Sequence, residues 1–305
     1  MEKILKEILN NCSQYIEHGK LASYIPELAK VNKNDFGICV ITNDGKINVA
    51  GDYNKKFTMQ SVIKPLILLI ALTDNNTNTA RKLVGVESTG KPFDAFNYSD
   101  QALSRENINP MINAGAIALC TLIHGKNYDE KFQRLLELTR KVSGNNTLDI
   151  DPQVYASEKL TGNKNRALAY MLKAYGLIDD DIEEVLDCYF RACSINATAV
   201  DIARIALAFA NGGRDIITNT QLFKKEYARY VNAILTTCGM YDGSGEFALN
   251  VGVPAKSGVG GGIMAIVPNR MGIGIYSPSL DNKGNSIAGI KALELLSQNL
   301  DLSIF

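Results

Sequence analysis

Thr58 to Leu72 reads TMQSVIKPLILLIAL, and the placing of its serine, lysine and proline decides what the rest of the chain must build. A proline is tolerated in the first turn of a helix, because the leading backbone N–H groups have no intrahelical partner to lose. Pro65 therefore predicts a helix that begins near Ser61. Ser61 and Lys64 are then one turn apart and share a face. The apolar run that follows, LILLIAL, falls far short of the roughly 20 residues a membrane span needs, so the helix is a core helix of a globular protein. A hydroxyl and an ammonium are held side by side where that helix enters the core.

Two readings of the pair are open at this point. A lysine in low-dielectric surroundings can have its basicity lowered enough to act as a base, and a nucleophilic serine needs such a base within hydrogen-bond reach. The same residues also read as an N-capping serine beside a lysine whose stem covers apolar surface. The spacing arises easily: Ser88-Thr89-Gly90-Lys91 repeats it, in a glycine-proline loop. Histidine, the usual base, is excluded by position. His18 and His124 are the only two, and each directly precedes a glycine at a predicted helix C-terminus, where a cation meets the helix dipole favourably. No histidine remains for a Ser-His-Asp triad. The stretch GVESTGKP (85–92) nearly spells a phosphate-binding loop, but Pro92 stands where the Mg²⁺-holding hydroxyl belongs, and the preceding TARKLV reads as helix where a strand is required.

The 305 residues are 46% hydrophobic, with Lys plus Arg equal to Asp plus Glu at 32 each. That is enough for a large core in one or two domains. The balanced charge, without a basic stripe interleaved with aromatics, gives no reason to expect nucleic acid or an anionic membrane. Small-molecule chemistry is the better expectation. The opening MEKILKEILNNCSQYIEHGK carries charges through its apolar periodicity, which fits an amphipathic helix and not a signal peptide; a cytoplasmic protein is expected. Cys12, Cys39, Cys120, Cys188, Cys193 and Cys238 form no CxxC pair and read as buried thiols, and no metal is expected.

Strand-like patterning stands at both ends. FGICVI (36–41), a turn at Asn43-Asp44-Gly45 and KINVAG make one hairpin; GIMAIV (262–267), Pro268-Asn269-Arg270 and MGIGIY (271–276) make a second, followed by a helix from about Ser286 to Gln298. The middle is mostly helical: AGAIALCTLIHG ending at Gly125, DEKFQRLLELTRKVSG ending at Gly144, and TAVDIARIALAFANGG, whose Thr198 and Asp201 have capping-box spacing. An isolated hairpin is marginal, so the two ends are expected to join in one antiparallel sheet. The prediction is an α+β chain in which 1–60 and 220–305 form a sheet domain, 61–219 a helical one, and the site lies between them.

Near the C-terminus AKSGVGGG (255–262) leads into the second hairpin. Alone it reads as a glycine-rich turn. Beside a Ser-x-x-Lys it gains meaning, because Lys-(Ser/Thr)-Gly on an edge strand is the third element of the serine-active penicillin-recognising fold. There the glycines let backbone approach the substrate and present an N–H to an oxyanion.

The ordered series SYIPELAK (23–30), MQSVIKP (59–65), NPMINAGA (109–116), SEKLTGNKNRALA (157–169), LDCYFRACSI (186–195), CGMYDGSGEFA (238–248) and VPAKSGVGGGI (253–263) is similar to the serine-dependent glutaminase family, over nearly the whole chain. The resemblance implies a β-lactamase/transpeptidase-like fold and hydrolysis of L-glutamine to L-glutamate and ammonia through a glutamyl-serine intermediate, with no cofactor and a homo-oligomer, dimer or tetramer. It implies Ser61 as nucleophile, Lys64 as its base, Tyr241 as proton relay, and the N–H groups of Ser61 and Val259 as the oxyanion hole. Asn113, Glu158, Asn165 and Tyr189 would hold the amino acid end, with Tyr24 close by. An ammonium suits a carboxylate, and a carboxylate suits amide and phenol donors. Each assignment has a plainer rival: Asn113 as a helix cap, Tyr189 as a core aromatic, Glu158 as a solvated charge. The Ser-Asp-Asn element of β-lactamases is absent, which leaves tyrosine as the relay, and no ankyrin-like extension is present. Another Ser-Lys acyl hydrolase, a peptidase or β-lactam hydrolase, and a catalytically silent amino acid binding module are the alternatives. The missing signal peptide argues against the first, and the intact Ser61, Lys64 and Tyr241 against the second.

Overall fold

A computed structural model of the chain describes residues 1–90 and 108–305. The strands are β1 (Gly37–Thr42), β2 (Ile47–Gly51), the two-residue pairs β3 (Phe57–Thr58) with β4 (Asn196–Ala197) and β5 (Arg214–Asp215) with β6 (Thr220–Gln221), then β7 (Ala255–Ser257), β8 (Gly262–Val267) and β9 (Met271–Tyr276). The helices are α1 (Glu2–Cys12), α2 (Lys64–Asp74), α3 (Thr77–Leu83), α4 (Asn113–Thr121), α5 (Tyr128–Ser143), α6 (Pro152–Thr161), α7 (Asn163–Ala174), α8 (Ile182–Cys193), α9 (Ala199–Ala210), α10 (Lys225–Cys238), α11 (Ser244–Asn250) and α12 (Ile287–Leu300).

The two hairpins do join. The sheet runs β2-β1-β9-β8-β7, antiparallel throughout, with Gly37 opposite Tyr276 and Ile41 opposite Gly272 where the first hairpin meets the second. Period-2 alternation sorts its side chains onto two faces. Ile38, Val40, Ile263, Ala265, Ile273 and Ile275 pack with Leu5, Ile8, Leu293 and Leu296 of α1 and α12. Cys39 and Ile41 face the other way, against Ala199, Ala203 and Leu207 of α9. On that side β9 carries Gly272 and Gly274, and a Cβ added at either would lie 2.2 Å from Ala203 O or 2.0 Å from Ala199 O. The glycines let α9 rest its backbone directly on the strand.

Helix α9 thus lies within the 61–219 stretch read as the helical part, yet it covers one face of the sheet. Its capping box forms as the sequence predicts: Thr198 Oγ1 accepts from Asp201 N, and the Asp201 carboxylate accepts from Thr198 N. Helices α3, α4, α5 and α10 pack around α2, which is buried from Lys64 to Leu72. Two local readings need correction. The α-helix begins at Lys64, because the preceding turn Gln60–Ile63 is 3-10. Helix α4 stops at Thr121, so His124 lies beyond it. The Leu122 carbonyl is taken by Asn75 Nδ2 at 2.7 Å, and the His124 N–H donates to Asp74 at 2.7 Å. These bonds to the end of α2 turn the chain out of the helix. His18 does close a 3-10 helix, before Gly19.

Candidate active site

Backbone strain marks the site before any side chain is considered. Six non-glycine residues among those described have positive φ, and four are Asn or Asp, the types that tolerate this region. The other two are Gln60 at 49° and Tyr241 at 55°. Such residues persist only where their surroundings fix them, and they cluster at functional sites. Gln60 immediately precedes Ser61. Both are buried, and the Gln60 amide donates to Thr58 Oγ1 at 3.3 Å.

The glycine-rich loop is fastened to this turn. A Cβ on Gly258 would meet Met59 O at 2.7 Å, and one on Gly260 would meet Thr58 O at 2.6 Å. Only glycine lets the two backbones touch here, and Val259 is held between the two contacts. On the other side β7 is tied to the end of α10, since Ser257 N donates to Gly239 O at 3.1 Å. Gly239 leads through Met240 to Tyr241, which shares a small apolar cluster with Val259, Val154 and Leu280.

Lys64 is completely buried. Its ammonium donates to Asn113 Oδ1 at 2.7 Å and to Met111 O at 3.2 Å. The same Asn113 oxygen accepts from the Tyr189 hydroxyl at 3.2 Å, and Asn113 Nδ2 donates to Asn165 Oδ1 at 2.9 Å. Asn113 is the first residue of α4 and caps nothing; its side chain joins three other polar groups. Tyr189 is buried, but its hydroxyl takes part in this network, so a purely apolar role does not fit. Burial holds its phenol well above the usual tyrosine range.

Glu158, near the end of α6, is only 5% exposed, which removes the reading of a solvated charge. Burial pushes its carboxyl up to about 7, against the opposing pull of the Gln60 amide and the Lys64 charge. Tyr24, by contrast, is exposed, and borders a cavity of about 480 Å³ together with Asp242 and Val259.

The sequence reading gave no role to Gln60 or Lys256. Lys256 is fully buried on β7, its ammonium donating to Ser257 O at 2.6 Å and Gly239 O at 3.0 Å and lying 4.2 Å from the centre of the Tyr241 ring. Burial, and then the charge of Lys64, force it well below the ordinary lysine range. Two buried lysines therefore oppose each other's charge, and the cost falls on Lys256, whose neutral form is favoured. The Lys-Ser-Gly stretch was the available signal for Lys256. For Gln60 there was none beyond its place before Ser61. Lys91 and Pro92, of the second Ser-x-x-Lys and the phosphate-loop-like stretch, lie outside the described residues.

Among the described residues no helix is long and apolar enough to cross a membrane. Residues 19–305 match the family model for glutaminase. Glutaminase 2 of Clostridium perfringens is 50% identical over all 305 residues of both chains, and a glutaminase of Clostridioides difficile is 49% identical over 100% of this chain and 98% of its own. The fold is similar to that of a Bacillus subtilis glutaminase in covalent complex with 5-oxo-L-norleucine, formed by its reaction with 6-diazo-5-oxo-L-norleucine. The TM-score there is 0.92, at 37% identity, covering 100% of this chain and 99% of that one. A Bacillus glutaminase superposes with a TM-score of 0.93 at 35% identity over 100% and 99% of the two chains. The sheet built from the two ends of the chain, with its helical surround, is the β-lactamase-like fold of these proteins. With the family model covering nearly the whole sequence and relatives half identical from end to end, the chain belongs to the glutaminase family.

Proposed function

We propose that the protein hydrolyses L-glutamine to L-glutamate and ammonia through a glutamyl ester on Ser61. The observation that supports this best is the pairing of a buried, strained Ser61 turn with the Lys64–Asn113–Tyr189–Asn165 network. Lys64 takes the serine proton, Tyr241 relays it to the leaving ammonia, and the N–H groups of Ser61 and Val259 stabilise the oxyanion. Glu158 meets the substrate ammonium; Asn113, Asn165 and Tyr189 face the carboxylate, with Tyr24 at the mouth. No cofactor enters this chemistry. The site lies between a sheet part, 1–60 with 220–305, on which α9 also rests, and the otherwise helical part of 61–219. A cytoplasmic location agrees with the amphipathic opening helix, and a homo-oligomer, dimer or tetramer, with the family resemblance.

Release of glutamate and ammonia from glutamine by the purified protein tests the reading, with asparagine as the control. If the clamp fixes the α-carbon end, the one fewer methylene of asparagine leaves its amide carbon about 1.3 Å short of Ser61 Oγ. A misplacement of that size costs on the order of 100-fold in rate. Asparagine turned over as fast as glutamine would show a pocket not built around glutamine.

Glu158 adds a pH dependence. Its carboxyl is raised to about 7 in the free protein, so it is mostly protonated below that pH and charged above it. The charged form is the one that binds an ammonium. KM for glutamine should therefore rise as pH falls through 7, by about tenfold per unit in the limit. Glu158→Gln should raise KM and abolish that acid limb. A KM flat from pH 5 to 8 would remove Glu158 from the ammonium site.

A further inference from the structure

We infer that a cavity of about 240 Å³ between α11 and the first turns of α12 is an effector site for a small apolar amine, a molecule with a primary ammonium and no carboxylate. It is lined by Met240 and Gly243, which stand on either side of Tyr241, and by none of the residues proposed above to bind or transform glutamine. At about 30 Å³ per water, it has room for about eight to ten non-hydrogen atoms. Met240, Phe247, Ile287 and Ile290 supply an apolar wall. The polar wall selects the head group. Its two lysines are already matched, Lys283 lying 3.7 Å from Glu246 and Lys291 2.6 Å from Glu294. An incoming carboxylate therefore finds no unpaired cation. Asp281 is left over: its carboxylate accepts from the N–H groups of Lys283 and Asn285 at 2.9 Å each, and no cation among the described residues neutralises it. Asn285, on the same turn, is 1% exposed, and its Oδ1 has no hydrogen-bond partner among the described residues. A buried acceptor without a donor is costly. An ammonium set between Asp281 and Asn285 would satisfy that oxygen and neutralise the carboxylate together.

The same turn reaches the reacting side. Asn285 Nδ2 donates to Met240 O at 3.3 Å, so the residue that would hold the ammonium also holds the peptide leading into Tyr241, whose φ is 55°. Leu280, where the loop begins, is bridged to Ser286, where it ends, and shares an apolar cluster with Tyr241. A ligand shifts a set of conformations by its differential affinity for them. One that fixes Asn285 favours the strained placement of Tyr241 over looser ones. This coupling rests on the reading of Tyr241 as proton relay; the binding does not. Because the residues proposed to hold glutamine are on α4, α6, α7 and α8, the effect falls on kcat and not on KM.

The test uses the whole protein with phenethylamine as the probe, beside 2-phenylethanol, which lacks the ammonium, and phenylalanine, which adds a carboxylate. Calorimetric titration should show one phenethylamine per chain, bound at millimolar concentration or below, with or without excess glutamate. It should bind about tenfold tighter than either relative, the scale of one hydrogen bond to a charged group. Asp281→Asn keeps the side-chain oxygen that takes the two backbone N–H groups and removes the charge. With folding checked by thermal melting, it should weaken phenethylamine about tenfold and change 2-phenylethanol by less than about twofold. At saturating glutamine, phenethylamine should raise kcat by about twofold to fivefold with KM steady, and Asp281→Asn should move that response to about tenfold higher amine concentration. Amine and alcohol bound equally, or amine displaced by glutamate, overturns the ammonium site. Amine bound with kcat unchanged overturns the coupling to Tyr241. A protein without glutaminase activity would instead sink the earlier reading, and the titration would still decide the site.

Discussion

Ser61→Ala should lower glutamine turnover by a factor on the order of 10⁵ to 10⁶, the scale on which loss of an activated serine is felt in a serine hydrolase, while glutamine binding changes little. In the proposed mechanism the hydroxyl is the attacking group, and the neighbouring Gln60 and Val62 offer only an amide and an aliphatic side chain in its place. Of the residues proposed to hold the substrate, Asn113, Asn165 and Tyr189, on α4, α7 and α8, are anchored to one another through Asn113, and Glu158 is on α6. They do not depend on the serine oxygen for their position. Calorimetric titration of the variant with glutamine, set beside an ammonia-release assay, separates the two quantities. An alanine variant that binds normally and does not turn over supports the assignment. Turnover near the wild-type rate would remove Ser61 as nucleophile and transfer attention to the two buried lysines and Tyr241.

Lys64→Arg is expected to be nearly as damaging as Lys64→Ala, with kcat reduced on the order of 10³-fold or more, the upper part of what a positioned general base contributes. Charge is preserved by arginine, but a guanidinium does not deprotonate in a protein and cannot accept the serine proton. Space works against it as well. Lys64 is wholly buried, with its ammonium seated on Asn113 Oδ1 and Met111 O, and a planar fork with five donors has too few acceptors there. A folded state check by circular dichroism and thermal melting accompanies the kinetics, since either substitution disturbs a packed core. If the arginine variant, folded, kept most of the rate, the role of Lys64 would be electrostatic, and proton removal would fall to Tyr241 under the field of Lys256.

The parts of this molecule legible from sequence are those set by local chemistry. The strands Gly262–Val267 and Met271–Tyr276 fall where the alternation and the Pro268-Asn269-Arg270 turn place them, because hairpin register is fixed by near neighbours. The Thr198 capping box is a four-residue matter and forms as expected. What the sequence hid depends on distant packing. SEKLTGNK around Glu158 is polar and mostly at the surface; Glu158 itself is buried by segments far away in the chain, with Gln60 and Lys64 among its neighbours. The apolar run of α9 places it among the helices of 61–219, but its partner is set by Gly272 and Gly274 of β9, which no local pattern links to it. Lys256 and Gln60 escape a local reading for the same reason: a lysine near glycines and a glutamine beside a serine are buried only by segments distant in sequence.

The central claim is that the glutamine carbonyl becomes covalently attached to Ser61. Peptide mapping by mass spectrometry, after reaction of the protein with 6-diazo-5-oxo-L-norleucine, tests it most directly. The account predicts one 5-oxo-norleucyl group per chain, on Ser61, formed in step with loss of activity and slowed by glutamine. Label on another residue, or full inactivation with Ser61 unmodified, would contradict it.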